Sequence, residues 1–184
     1  MDDSQLRETY VSGETIFDGK VVHLERWKVL LPNGKTATRE VVKHVGAAAI
    51  VALDDDGNIT LVRQHRVAID EMLWEIPAGK RDSFDENPLV CAKRELEEET
   101  GLNAEHWQLL SNVVTTPGFC TERIAIYLAT GLSQHPAHTD PDEFLRLTRL
   151  PLTKAVELVE QGELFDQKTA LGILLAEHAL RKKA

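Results

Sequence analysis

Residues 78–102 read AGKRDSFDENPLVCAKRELEEETGL, and the second half of this stretch crowds an arginine and four glutamates onto one short helix. Asn87 is suited to cap that helix, Pro88 to its first position and Gly101 to a left-handed stop. At about 100° per residue from Leu89, Leu96 and Ala92 fall near 340° and 300°, on the core side. Glu99, Glu95 and Glu98 follow at about 280°, 240° and 180°, whereas Glu97 lies alone near 80°. Three carboxylates share a face and one does not. Like charges at this spacing cost roughly 0.2–0.5 kcal/mol per exposed pair. A hard divalent cation removes that penalty, because carboxylate oxygens are its preferred ligands. On charge alone, a solvated helix of good helix formers is the simpler reading, so the decision rests on what surrounds it.

The chain of 184 residues is long enough for one domain with a substantial core and a small N-terminal appendage. A net charge of −9 argues against a general nucleic-acid binder, which presents a basic face. It leaves room for a phosphorylated small molecule, since bound cations reverse the local sign. No apolar run approaches the roughly 20 residues needed to span a bilayer. The acidic opening MDDSQLRETY lacks the regions of a signal peptide. A cytoplasmic protein with Cys91 and Cys120 reduced is therefore expected.

Strand and turn signals dominate the first 45 residues, with Asp18-Gly19 and Asn33-Gly34 marking hairpin turns. AAAIVAL (47–53) is an apolar run of buried-strand type, DDDGN is a turn, ITLVRQHR returns, and LWEIPAG leads into the Gly79 loop. Beyond the glutamate helix come strands in WQLLSNVV and ERIAIYLAT, then the loop SQHPAHTDPDE, a strand in FLRLTRL, and two helices in 152–162 and 166–183. Strands first, then strands mixed with helices, predict α+β or α/β layers with helices covering a mixed sheet.

Gly79, Glu86 and the run Arg94-Glu95-Leu96-Glu97-Glu98-Glu99-Thr100-Gly101-Leu102 closely resemble the Nudix box, G-x5-E-x7-R-E-U-x-E-E-x-G-U with U apolar. Every specified residue type is present. The one departure is an extra residue in KRDSFD, in the loop ahead of the helix, where length is easily tolerated. The resemblance implies a Nudix α/β/α sandwich over 46–184 and a Mg²⁺ or Mn²⁺ site of two or more ions. Glu95, Glu98, Glu99 and the Ala78 carbonyl are its implied ligands. Arg94 would orient a carboxylate, with Glu86 as its partner, and Glu97 would be expendable. Cys91, near 200° on the same helix, carries a thiol unsuited to a hard cation.

Segments outside the box resemble the ADP-ribose pyrophosphatase branch: 14–42, LVRQHR, LWEIPAGK, TTPGFCTERIAIYLA and GELFDQKTALGILLA. They imply that 1–45 form a small antiparallel β domain exchanged in a homodimer. Arg66 would contact the diphosphate, Glu122 would place the terminal ribose or the diphosphate, and Arg39 would lie near the adenine. Glu143 is the implied general base or a further metal ligand, with Asp140 and Asp142 behind it. Trp74 is read as core packing beside the site. The expected activity is Mg²⁺-dependent hydrolysis of ADP-ribose to AMP and ribose 5-phosphate. The alternatives are another nucleotide sugar or dinucleotide as substrate, or a domain that senses ADP-ribose without cleaving it.

Overall fold

The computed structural model describes residues 3–135 and 144–182. It divides into two compact units. The first comprises Met1–Gly46 with Val114–Arg123, and the second Ala47–Val113 with Ile124–Ala184.

In the first unit, β1 (Thr9–Asp18), β2 (His23–Leu30) and β3 (Thr36–Lys43) form an antiparallel sheet in the order β1-β2-β3. The Asn33-Gly34 signal is a tight turn, with Gly34 at φ 79° and the Asn33 side chain accepting from the Lys35 N–H. The Asp18-Gly19 signal also marks a short hairpin connection, residues 19–22, in which the Gly19 N–H donates to the Val22 carbonyl before β2 begins at His23. The returning segment docks beside β3, where the Val42 N–H donates to the Phe119 carbonyl at 2.7 Å and the Thr121 N–H to the Val42 carbonyl at 3.0 Å. All ten residues of β1 are exposed.

The second unit is built on β4 (Ala47–Ala52), β5 (Asn58–Arg66), β6 (Glu71–Glu75), β7 (Ala78–Lys80), β8 (Leu102–Val114), β9 (Arg123–Gln134) and β10 (Arg146–Pro151). They form two sheets, β10-β5-β6 and β7-β4-β9-β8. The second sheet is mixed: β4 runs parallel to β9 and antiparallel to β7. Helix α1 (Pro88–Thr100) packs against β4 and β7, and α3 (Gln167–Arg181) against β4 and α2 (Leu152–Glu160).

The apolar run at 47–53 is explained by burial on both faces. Ala49 and Val51 join Ile126, Leu128 and Ile173 in one core. Ala48, Ile50 and Ala52 join Cys91, Ala92, Leu96 and Tyr127 in the other. A strand whose alternate residues both enter a core has no polar face to show in its sequence. Helices on both sides make this an α/β/α sandwich. At Gly172 the α3 backbone comes so near the sheet that a Cβ would lie 2.9 Å from Ile76 and 3.1 Å from Val51. No helix among the described residues is long and apolar enough to cross a membrane.

Candidate active site

Helix α1 begins and ends where its sequence dictates. The Asn87 side chain accepts from the Leu89 N–H at 2.9 Å, and Gly101, at φ 69° and ψ 14°, donates its N–H to the Glu97 carbonyl. The buried arc of the helix is wider than the angular reading predicts. It contains Cys91, Ala92, Glu95, Leu96, Glu99 and Thr100. Two of the three convergent glutamates are therefore inside the protein: Glu99 is 4% exposed and Glu95 9%. The Glu98 side chain is 42% exposed. The reason is that β4 and β7 both press on this helix, so the core side extends past the apolar residues.

Backbone geometry holds the two buried carboxylates. A Cβ on Gly79 would fall 2.0–2.2 Å from the Glu95 carboxylate atoms, so the glycine lets that carboxylate sit where it does and a larger residue would turn it aside. Glu99 Oε2 accepts from the Ala78 N–H at 3.1 Å. Arg94 bridges the face, with Nη1 donating to Glu95 Oε1 at 2.6 Å and Glu98 Oε2 at 3.2 Å, and Nη2 to the Lys80 carbonyl at 3.2 Å. Partial burial opposes its charge, but Glu95 beside it outweighs that and raises the Arg94 pKa further. The expected partner Glu86 stands at 3.6 Å, behind Glu95 and Glu98 in closeness. Glu86 instead accepts from the Asp82 N–H at 2.7 Å, which closes the loop carrying the extra residue.

The donor set at this face is oxygen-only and anionic, which is the chemistry a hard divalent cation requires. Burying two carboxylates is costly unless cations answer them, and the space over Gly79 seats the Glu95 carboxylate. The residues present fit such an ion. Among the described residues no three acidic, His or Cys side chains stand close enough to hold one as placed, because Glu95 and Glu98 face Arg94. Binding an ion requires them to exchange that partner.

Arg66, on β5, is held by a buried partner that the sequence did not single out. Its Nε and Nη2 donate to the two oxygens of Glu75 on β6 at 2.6 and 2.7 Å, and Glu75 is 1% exposed. Lys168, in the first turn of α3, donates to the same carboxylate and to Asp166 Oδ2, the latter at 3.0 Å. The hydrogen bond to Glu75 raises the Arg66 pKa, with smaller help from the charges of Asp166 and Glu99. Trp74 packs against the core as expected, and the Arg63 guanidinium lies 5.2 Å above its ring. Cys91 shares the buried arc with Glu95 and lies 3.5 Å from the Gly79 carbonyl and 3.6 Å from Arg94 Nη2. It is fully buried, and burial pushes its thiol up to about 12.

Arg39 and Glu122 belong to the first unit. Arg39 Nε donates to Glu8 Oε2 at 3.0 Å, and its Nη1 to the Thr38 carbonyl at 2.9 Å. It lines a cavity of about 350 Å³ with Tyr10, Trp27, Val41, Phe119 and Cys120. Tyr10 and Trp27 meet edge to face at 5.2 Å. Glu122 accepts from the Thr115 hydroxyl at 2.8 Å and has His44 at 3.6 Å. Glu143, Asp140 and Asp142 lie outside the described residues. The aromatic lining was missed because its members are spread over residues 10–119, and no local pattern joins them.

An oxygen-only carboxylate face on an α/β/α sandwich, with a clamped arginine in the same unit, has the donor chemistry of a divalent-cation site. A NUDIX domain model matches residues 42–171. The chain is 41% identical over 180 residues to the methanol dehydrogenase activator of Bacillus methanolicus, covering 96% of this chain and 97% of that protein. It is 42% identical over 172 residues to the ADP-ribose pyrophosphatase of Mycobacterium tuberculosis, covering 92% and 83%, and 42% identical over 170 residues to that of Bacillus subtilis, covering 91% of each. A solved structure titled an ADP compounds hydrolase superposes with a TM-score of 0.84 at 21% identity over 97% of this chain and 96% of that one, a likeness of fold. This chain belongs to the NUDIX family. Members of that family generally use divalent metal ions.

Proposed function

We propose that this protein hydrolyses the pyrophosphate bond of ADP-ribose, with Mg²⁺ as its ion, to give AMP and ribose 5-phosphate. The observation that carries the reading is the pair of buried carboxylates, Glu95 seated against Gly79 and Glu99 held by the Ala78 N–H, the second of them within reach of the charge of Arg66. Glu95, Glu98, Glu99 and the Ala78 carbonyl would hold the ions. When bound, they supply charge neutralisation and a more acidic water. The chain's own groups do the rest. Arg66 binds the diphosphate through charge-assisted hydrogen bonds. The family resemblance assigns Arg39 to the adenine and Glu122 to the terminal ribose or the diphosphate. Glu143 takes a proton from the attacking water as the new P–O bond forms and the bridging P–O bond breaks.

The ADP-ribose pyrophosphatase names of two relatives at 42% identity support this substrate. The working unit is a cytoplasmic homodimer joined through the N-terminal strands, supported by the wholly exposed edge strand β1. The Bacillus methanolicus relative supports a second reading, in which the same site serves a partner dehydrogenase. Side-by-side kcat/KM values for ADP-ribose, ADP-glucose, NADH and a nucleoside triphosphate, with products identified, test the first. ADP-ribose bound but uncleaved in Mg²⁺ would reject it in favour of a sensor. A methanol dehydrogenase assayed with and without the protein tests the second.

A further inference from the structure

Arg66 is not free to swing. Glu75 grips its Nε and Nη2, Nη1 holds no protein hydrogen bond among the described residues, and 42% of the side chain is exposed. Glu75 is gripped in turn. Lys168 donates to it and to Asp166, and Asp166 caps α3 by accepting from the Thr169 N–H at 3.0 Å and the Thr169 hydroxyl at 2.6 Å. The Thr169 oxygen then accepts from the Ile76 N–H at 3.0 Å, beside Glu75 in sequence, which closes the circuit.

Two members of this circuit occupy places that physics disfavours. Glu75 is a carboxylate at 1% exposure, and Lys168 is a cation at the positive end of a helix. Well-packed apolar residues commonly serve as well or better for stability alone. What apolar residues could not do is fix a guanidinium. Lys168 and Asp166 tie that carboxylate to the cap of α3, so the four charges of Arg66, Glu75, Lys168 and Asp166 balance, and the group left for an anion is the unbonded Nη1 of the exposed Arg66.

Resting on the pyrophosphohydrolase reading, we propose that Glu75 and Lys168 are positioning residues for the diphosphate: Glu75 clamps the Nε–Nη2 edge of Arg66 so that Nη1 is presented to the substrate, and Lys168 holds Glu75 in place by bridging it to Asp166. Neither touches the reacting atoms. Both act through Arg66, from β6 and from α3.

The test is a double-mutant cycle read in binding as well as turnover. Glu75→Gln and Arg66→Ala, singly and together, are compared with the wild type for kcat and KM on ADP-ribose, for calorimetric Kd of ADP, an unreactive diphosphate in this assay, and for thermal midpoint. Glu75→Gln is expected to raise KM and weaken ADP binding roughly tenfold, the scale of one charge-assisted hydrogen bond, with kcat changed less. In the Arg66→Ala background the same substitution is expected to add nothing to the loss. Losses that multiply in that background, or a lowered thermal midpoint with KM and Kd unchanged, would overturn the proposal and leave a structural role. Should Glu75→Gln fail to fold, Lys168→Gln carries the test: it is expected to weaken ADP binding several-fold, with Lys168→Arg restoring it, and unchanged binding would overturn the role of Lys168. A wild type that binds ADP with the Arg66–Glu75 coupling intact, yet cleaves no ADP compound, would sink the hydrolase reading while sustaining the clamp.

Discussion

Four glutamates in one run are chemically identical and physically unlike. Glu95 and Glu99 are buried, Glu98 lies at the boundary, and Glu97 points away by helical angle. Glu99→Gln is therefore expected to lower kcat by about 10²-fold or more, the scale of losing one preorganised electrostatic group, while Glu97→Gln stays near wild type. Equal losses in the two would defeat the face argument. Gly79→Ala puts a methyl where the Glu95 carboxylate sits and turns that flexible side chain aside. Activity should fall, read as a loss in kcat/KM, with the denaturation midpoint moved little. At Glu75, burial alone would raise the carboxyl pKa, but the Arg66 hydrogen bond and the Lys168 charge hold it below the ordinary 4.5. A depressed carboxylate contributes stability that is fully present above its unfolded pKa and lost as pH falls through its folded one. Thermal melts from neutral pH down to about pH 3 should lose stability below the ordinary carboxylate range, and Glu75→Gln should flatten that acid limb.

At the scale of elements, α1 is the part of the molecule most plainly written in local sequence. Asn87, Pro88 and Gly101 mark its ends, and the structure uses each as the residue type suggests. Asn87→Ala should cost about 1 kcal/mol in chemical denaturation. Gly101→Ala, at φ 69°, should cost a further 1–2 kcal/mol or so, the penalty of a Cβ in the left-handed region. The hairpin signals are met at both places. Asn33-Gly34 lies inside the connection 31–35, whereas Asp18 ends β1 and Gly19 opens the shorter connection 19–22 that Val22 closes. A turn dipeptide states where the chain bends; the pairing register of the strands decides how many residues the bend consumes.

At the scale of the whole molecule, β1 stands out as an unfinished surface. It is a ten-residue edge strand, exposed throughout, that carries Tyr10, Val11, Ile16 and Phe17. Long apolar edges are templates for pairing with another chain. Sedimentation should therefore give twice the mass of one chain, and Phe17→Asp should shift it toward monomer at micromolar concentration. A wild type that stays monomeric throughout would remove the dimer from the proposed function. The division into two units also reassigns one segment. Val114–Arg123, which carries Glu122 and follows a strand of the second unit, packs with the N-terminal sheet through Val42, His44 and Thr121.

The sequence by itself determined the glutamate helix with its caps, the order of strands and helices, and the motif that marks the family. All of these depend on near neighbours or on a motif read along one element. Only the tertiary structure decided how deeply Glu95 and Glu99 are buried, which carboxylates answer Arg94, and that Glu75, Lys168 and Asp166 form a circuit behind Arg66. Those outcomes depend on two strands and a helix that meet from as far apart as Arg66 and Lys168. No local pattern encodes such a meeting, because burial and ion pairing belong to the packed arrangement and not to any one element.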